Sequence, residues 1–388
     1  MNELKSIAVI CNDYPSEGRA SYVFVEQLVN ALVDMGIDVK VIALQSLMRI
    51  ALHRESRLPG RSAVSTKRGN VYEVFRPVGI SFGNRSGFLG SCAIKYNSRK
   101  ISALLRSMDV DALYCHFWEN VQKVKGFALQ NDLPVFVACG EGDNAIENLM
   151  DTISQRDKQE LVNCIKGVIS VSSENRRKCL EYSLATKEKI IVLPNCADTS
   201  IFNPQDASAM RHNLGIGEQD FTIVFVGGFI PRKGPDRVAR AMANLSDKHI
   251  KAIFIGKPFS GYDYDFDCPG IVFKGPVNHD ELPQLLNCAD VFVLPTLKEG
   301  CCNAIIEALA CGLPIISSDG PFNDDILDEK NSIRVNPEDV SAITEAIAYL
   351  RDNPDVRERM RSVSLERHNQ YSIDGRARRI VSFIKDRL

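Results

Sequence analysis

Short apolar, β-branched runs punctuate the first half of the chain at Ile7–Cys11, Val39–Ala43, Ala112–Cys115, Val135–Cys139, Val168–Val171 and Ile190–Leu193. Each has the length of a strand and little polar alternation, as expected of a strand covered on both faces. Longer stretches of helical period lie between them. In "YVFVEQLVNALVDMG", Val23, Leu28, Leu32 and Met35 fall roughly on one face, and Gly36 provides the stop. Strand and helix repeated in this way predict a parallel sheet with crossover helices.

The pattern breaks at "PNCADTSIFNPQDASAMRHNLGIGEQD", rich in Asn, Asp, Pro and Gly, and then restarts. Strands are expected at Phe221–Val226, Ala252–Ile255, Ile271–Phe273, Val291–Leu294 and Ile315–Ser317. The chain of 388 residues is long for one domain. The expected division is an N-terminal Rossmann-like domain over 1–195, a linker over 196–219, a C-terminal Rossmann-like domain over 220–370, and a C-terminal helix over 371–388 able to return to the first domain. The fold class is α/β, two doubly wound domains in series. Such sheets bind ligands beyond the carboxyl ends of their strands, so the cleft between facing domains is the expected site.

Composition narrows this picture. The apolar fraction of 45% and the charged fraction of 25% are ordinary for a globular protein. The start "MNELKSIAVIC" lacks the apolar core of a signal peptide, and no apolar run approaches the roughly 20 residues that span a bilayer. Twelve cysteines without a Cys-x-x-Cys spacing suggest buried, reduced thiols in a cytoplasmic protein, with no structural zinc site expected. Charge is uneven. Between Lys40 and Arg106 thirteen Lys/Arg face only Glu55 and Glu73, a net of +11. A solvated face is one reading. The other is an anionic membrane surface, because the cations alternate with Leu, Ile and Phe. No nucleic-acid module is recognisable, so no nucleic-acid partner is expected.

Two constellations carry candidate chemistry. In "FVGGFIPRKGPDRVARAM" a strand runs into Gly227 and Gly228, with Arg232 and Lys233 in the turn and a helix from about Pro235. Glycines permit close backbone approach, and a helix N-terminus with two cations suits a diphosphate. A plain strand–helix turn with solvated cations is the alternative. It is neither a Walker loop nor the dinucleotide fingerprint. In "VFVLPTLKEGCCNAIIEALACGLPII", Glu299 follows a strand, Gly300, Cys301, Cys302 and Asn303 form a helix mouth, and Glu307 lies about one turn in. Carboxylates suit sugar hydroxyls and amide N–H groups suit phosphate. A solvated Glu299 and a salt-bridged Glu307 are the plainer reading.

Taken in order, "YPSEGRASYVFVEQLVNALVDMG", "DALYCHF", "KIIVLPNCAD", "VGGFIPRKG", "VFKGPVNHDELPQLLNCADVFVLP" and the Glu-x7-Glu before "ALACGLPII" resemble the retaining glycosyltransferases of family four, which have the GT-B fold. The resemblance covers nearly the whole chain and extends to capsule, exopolysaccharide and lipopolysaccharide enzymes. It implies that Glu307 binds the nucleotide ribose and Glu299 the hydroxyls of the transferred sugar. It implies that Lys233 with its neighbouring cation holds the diphosphate, that Gly18 brings the first loop to it, and that His116 lies near the transferred sugar. Candidate catalytic residues are therefore His116, Glu299 and Lys233. The donor set is Gly18, Gly228, Arg232, Lys233, Glu299, Gly300, Cys301, Cys302, Asn303 and Glu307. Arg19, Trp118 and Glu141 are candidate acceptor contacts; Trp118 also fits a core position, and "CGEGDN" with Asp143 also fits a turn.

The family's Arg after Gly227 is Gly228 here, the first His of its pair is Tyr114, and its Gly-Phe-Gly after Glu299 is Gly300-Cys301-Cys302. Arg232 is the expected substitute guanidinium. Asp263, Asp265 and Asp267 mimic a manganese-binding Asp-x-Asp but follow no first-domain strand, so a solvated loop is expected and no metal. The resemblance implies a sugar nucleotide as donor substrate, no cofactor, and a saccharide or lipid-linked acceptor; the basic segment 40–106 leads to the expectation that this acceptor is met at the inner face of the cytoplasmic membrane. A sugar-nucleotide epimerase and a non-catalytic scaffold of the same fold are the alternatives.

Overall fold

In the computed structural model, residues 3–16, 21–52, 56–80, 88–141, 145–258 and 265–388 are described. They form two units, Met1–Leu193 with Ala377–Leu388, and Pro194–Arg376. The helix Ile373–Lys385 begins in the second unit and ends in the first, where Phe383 packs edge-on against Phe136 at 6.3 Å.

The first unit contains β1 (Ser6–Cys11), β2 (Asp38–Ala43), β3 (Gln45–Ser46), β4 (Arg61–Ser65), β5 (Val71–Phe75), β6 (Val78–Gly79), β7 (Ala112–His116), β8 (Val135–Cys139), β9 (Ile165–Ser170) and β10 (Ile190–Val192). Eight of them form one sheet in the order β10-β9-β8-β7-β1-β2-β5-β4, while β3 and β6 pair separately. β1 is buried along nearly its whole length, as its unbroken apolar run predicts. The helix Val23–Asp34 buries Val25, Leu28, Val29, Leu32 and Val33, whereas Met35 lies past its end and is exposed. The true apolar face is thus rotated from the expected one, because Val23 sits at the helix start.

The hairpin β4–β5 has no counterpart in the expected strands. It is antiparallel, with Arg61 opposite Phe75, and closes the edge of the sheet. Its two strands alternate exposed and covered positions; β4 is mostly small residues with Arg61 at its start, and β5 buries Tyr72 and Val74. Cations on an edge strand discourage edge-to-edge pairing. Part of the basic segment therefore has a structural use: Arg61 pairs with Glu73, Arg68 with Asp34, Lys40 with Asp38 and Arg49 with Asp13.

The second unit contains β11 (Phe221–Val226), β12 (Ile250–Ile255), β13 (Ile271–Gly275), β14 (Val291–Leu294), β15 (Ile315–Ser318) and β16 (Ser332–Val335), all parallel, in the order β13-β12-β11-β14-β15-β16. This is the 3-2-1-4-5-6 order of a dinucleotide-binding sheet, with its switch point between β11 and β14. The stretch expected as a linker is built into this unit. Ala197 bridges to Ser372, Phe202 is fully buried in the core, and Ser208–Asn213 is helical. Its Asn, Asp and Pro residues mark turns, not a free tether.

Candidate active site

The switch point brings two loops together. After β11 the chain runs through Gly227 to Gly234 before the helix Pro235–Leu245, and after β14 it runs through Pro295 to Cys302 before the helix Asn303–Ala310. Gly256, after β12, closes the floor: a Cβ there would lie 1.9 Å from the Gly227 carbonyl oxygen. The two loops are stitched by the Leu297 N–H donating to the Arg232 carbonyl at 2.9 Å.

Glu299 is the meeting point. Its Oε1 accepts from Lys233 Nζ at 2.5 Å, Arg232 Nη1 at 3.1 Å and Thr296 Oγ1 at 2.7 Å. Arg232 Nη1 also donates to the Lys298 carbonyl at 2.7 Å. The guanidinium offered by the sequence as a replacement at Gly228 is thus directed at Glu299 and its loop. Burial works to depress the Lys233 ammonium, but Cys302 and the bonded Glu299 carry it above the ordinary lysine value. Thr296 has no sequence signal of its own. Fully buried, it is held by Ser318 Oγ on its carbonyl.

The helix mouth is held from a distance. Asn195 Nδ2 donates to the Cys301 carbonyl at 3.2 Å and to Asn303 Oδ1 at 2.8 Å. Burial pushes the Cys301 thiol up to about 12 and the Cys302 thiol up to about 11, so neither offers a thiolate near neutral pH. Among the described residues no group of three His, Cys, Asp or Glu has metal-binding geometry. Asp265 is exposed and pairs with Lys274 at 2.7 Å, and Asp267 accepts from the Cys268 N–H; Asp263 lies outside the described residues.

Glu307 is 9% exposed and has a partner that the sequence did not disclose: its Oε1 lies 3.1 Å from His279 Nε2, in the loop after β13. The His279 ring rests edge-on against Phe202 at 5.1 Å. The hydrogen bond to Glu307 raises the His279 pKa above the ordinary histidine value against the opposing effect of burial. A raised folded-state value means that the pair's stabilisation is complete below about pH 6.5 and is lost as pH rises through the folded-state value. His279→Gln is therefore expected to cost on the order of 1 kcal/mol below about pH 6.5 and progressively less above it. Urea melts of both proteins across pH check this; a constant difference would show that the pair does not titrate.

In the first unit, His116 ends β7, 6% exposed, with Phe24, Tyr114 and Phe117 rings at 5.4, 5.8 and 5.4 Å. Phe117 adopts φ +74°, a left-handed conformation costly for an aromatic residue, at the exit of the strand. Trp118 is 1% exposed and its indole belongs to the core. Its backbone N–H donates to Glu141 Oε1 at 2.7 Å. The loop carrying Glu141 is pinned by the buried Asn175, whose Nδ2 donates to the Glu141 carbonyl at 3.0 Å. Gly18, Arg19 and Asp143 lie outside the described residues.

Burial pushes the Glu141 carboxyl up to about 7, only partly offset by the Trp118 N–H. The folded chain therefore prefers Glu141 protonated. Its cost is absent at low pH, grows as pH rises above the ordinary carboxylate range, and is complete above about 7. Glu141→Gln, which keeps an acceptor for Trp118, is expected to leave stability unchanged at about pH 4.5 and raise it by roughly 2 kcal/mol at about pH 8. Thermal melts at the two pH values test this, and a gain of equal size at both would refute it.

Residues 220–353 match the family described as "Glycosyl transferases group 1". The D-inositol 3-phosphate glycosyltransferase of Acidothermus cellulolyticus is 23% identical over 256 residues, covering 61% of this chain and 54% of that protein. An uncharacterized glycosyltransferase of Methanocaldococcus jannaschii is 26% identical over 231 residues, covering 56% and 59%. The chain thus spans about half the length of these relatives. Among solved structures, sucrose-phosphate synthase from Thermosynechococcus elongatus superposes with a TM-score of 0.73 at 16% identity, covering 98% of each chain. Anabaena HepE in complex with UDP gives 0.73 at 16% identity, covering 99% of this chain and 100% of that one. The fold of the chain is that of the GT-B glycosyltransferases, and its residues 220–353 carry the match to glycosyl transferases group 1.

Proposed function

We propose that this protein is a metal-independent glycosyltransferase. It moves a sugar from a nucleoside-diphosphate sugar to a saccharide or lipid-linked saccharide with retention of anomeric configuration, in surface-polysaccharide synthesis. The observation that carries the reading is the convergence of Lys233, Arg232 and Glu299 at the switch point of the second sheet, with Glu307 one turn into the adjoining helix. Proteins matched by sequence are named glycosyltransferases, and the Anabaena neighbour was solved with UDP and with UDP-glucose, which makes UDP the first nucleotide to test.

In this reading Glu307 accepts the ribose hydroxyls, and Lys233, Arg232 and the N–H groups at Gly228 and at Gly300 to Asn303 face the diphosphate. Glu299 accepts hydroxyls of the sugar. The acceptor hydroxyl oxygen bonds to the anomeric carbon as the bond from that carbon to the diphosphate oxygen breaks, and the hydroxyl proton passes to the departing diphosphate. The departing oxygen gains charge, and fixed cations stabilise it without reorganising.

A thermal-shift panel of UDP, GDP, ADP, CMP and their sugar conjugates, run in EDTA, tests the donor site. A nucleotide that stabilises wild type but not Lys233→Ala or Glu307→Ala is expected; at about 100 times its dissociation constant it adds roughly 2.7 kcal/mol. No shift from any nucleotide would sink the reading. Release of free nucleoside diphosphate only when acceptor is present separates a transferase from an epimerase, and the anomeric configuration of the product by NMR decides retention. The proposal also places the protein peripherally on the inner face of the cytoplasmic membrane, through cations of segment 40–106 that the fold leaves exposed, Arg57 and Lys67 among them. No helix among the described residues is long and apolar enough to cross a membrane. Flotation with anionic vesicles at low salt checks this part.

A further inference from the structure

We propose that the cavity of the first unit is a binding site for a saccharide carrying a negative charge, a phosphate or a carboxylate, gripped by Lys95, Arg99 and Arg106. That this saccharide is the acceptor rests on the glycosyltransferase reading; the anion site itself stands on the first unit alone.

The cavity, about 1530 Å³, opens where β1, β7 and β8 end, and one wall is the helix Phe88–Leu105 with the turn after it. Ligand pockets are ordinarily about 300–1,000 Å³, so there is room for more than one sugar ring. Lys95, Arg99, Ser102 and Arg106 line this wall at spacings of four, three and four residues, a single helical face. Like charges four apart on a helix repel.

The other cations around the cavity are already answered. Arg49 pairs with Asp13, Lys125 with Asp157 and Glu160, Arg76 donates to Ser62 Oγ and the Pro15 carbonyl, and Lys123 donates to the side-chain oxygens of Asn12 and Asn120. Lys95, Arg99 and Arg106 have no ion pair among the described residues. Three cations aligned on a concave wall without a carboxylate are an anion site by charge and by shape.

A second observation points to hydroxyl groups beside that anion. Gln122 is 8% exposed and lines the same cavity, and its Nε2 has no hydrogen-bond partner among the described residues. Glu141 Oε2, in the same cavity, is likewise buried and without a partner among them. A buried amide donor and a buried carboxyl oxygen left unmade are costly unless a ligand satisfies them. A polyol does so, and the cationic wall then holds its charged substituent.

The test uses the full chain without donor. Glucose, glucose 6-phosphate and glucuronic acid are titrated by calorimetry into wild type and into the double variant Lys95→Glu/Arg99→Glu, both solvent-exposed positions. At least one charged sugar is expected to bind wild type at least tenfold tighter than glucose, and to lose at least tenfold in the variant and on raising salt from about 0.05 M to about 0.3 M. Preference for glucose 6-phosphate identifies a phosphate, and preference for glucuronic acid a carboxylate. Equal binding of glucose and both charged sugars overturns the proposal, as does a variant that holds them as tightly as wild type.

The UDP thermal shift is read in parallel. If the variant loses it together with the sugars, Arg99→Gln, which removes the charge but not the volume, replaces it and decides by the same criterion. If the variant loses only anionic vesicles and keeps the charged sugars, the wall serves a membrane and the proposal falls. Absence of a UDP shift in wild type, with charged-sugar binding intact, overturns the donor reading and not this one.

Discussion

Glu299→Ala is expected to lower turnover by about 100-fold or more while holding the nucleoside diphosphate at least as tightly as wild type. The reason is the double use of one carboxylate. Without ligand, Glu299 Oε1 accepts from Lys233, Arg232 and Thr296, so it neutralises the two cations that the proposal assigns to the diphosphate. Binding of the diphosphate must compete with that pairing. Removing the carboxylate leaves two adjacent cations in a half-buried loop, an anion site with nothing in it, while the sugar loses its acceptor. Lys233→Ala acts in the opposite sense. It removes a charge-assisted bond worth roughly 1.5–3 kcal/mol and weakens the diphosphate by about ten- to a hundredfold. Stability should also separate them. Glu299→Ala is expected to cost about 2 kcal/mol, less than a fully buried broken pair because Arg232 is about a third exposed, and added diphosphate should restore it. Calorimetry and thermal melts with UDP and UDP-glucose read all of this. If both variants weaken UDP alike, Glu299 is not a competitor for those cations and the assignment fails.

The elements that position this site were visible in the sequence because apolar burial is periodic. Phe221–Val226, interrupted only by Thr222, and Val291–Leu294 are apolar runs and became β11 and β14 without change. The loops behind them therefore could be placed, and with them Lys233 and Glu299. Their partners could not. His279 meets Glu307 across 28 residues, Asn195 reaches Cys301 across 106, and neither side chain belongs to a repeating pattern. A polar contact is a single long-range event and leaves no period to detect. The hairpin β4–β5 was hidden for a related reason: β4 has only half-buried covered positions and lies in a basic stretch, and β5 buries just Tyr72 and Val74, so the alternation was too short to stand out. The 196–219 segment misled in the other direction. Turn-forming residues predicted separation, and the fully buried Phe202 shows attachment. Charge counting alone was equally blunt, since several cations of the basic segment are spent on Asp34, Asp38 and Glu73.

Arg237→Leu is expected to destabilise the second unit by about 3–5 kcal/mol and to weaken nucleotide binding at the same time, although Arg237 has no place among the donor contacts. It stands near the start of the helix Pro235–Leu245, 8% exposed, beside the core residues Val238 and Ala241. Its Nη1 donates to the Pro231 carbonyl at 2.9 Å and its Nη2 to the Pro295 carbonyl at 2.8 Å. One planar guanidinium thus fastens the loop of Arg232 and Lys233 to the loop of Glu299. Leucine would fill the volume but leave both carbonyls unpaired, and the two loops would keep the Leu297–Arg232 stitch, the Arg232–Lys298 hydrogen bond and the ion pairs. Lysine keeps the charge without the fork and cannot hold both carbonyls in the same geometry, so Arg237→Lys should fall between. The neighbouring glycine makes the test sharper. Gly234 has φ +74°, and a Cβ there would lie 2.3 Å from Arg237 Nη2. Gly234→Ala must therefore displace the guanidinium as well as strain the backbone, and in the Arg237→Leu background only the strain remains. The two substitutions should be markedly less than additive in urea melts and in the UDP shift. Additive effects would mean that Gly234 acts through the backbone alone. A normal UDP shift in Arg237→Leu would mean that the loops hold their geometry without the staple.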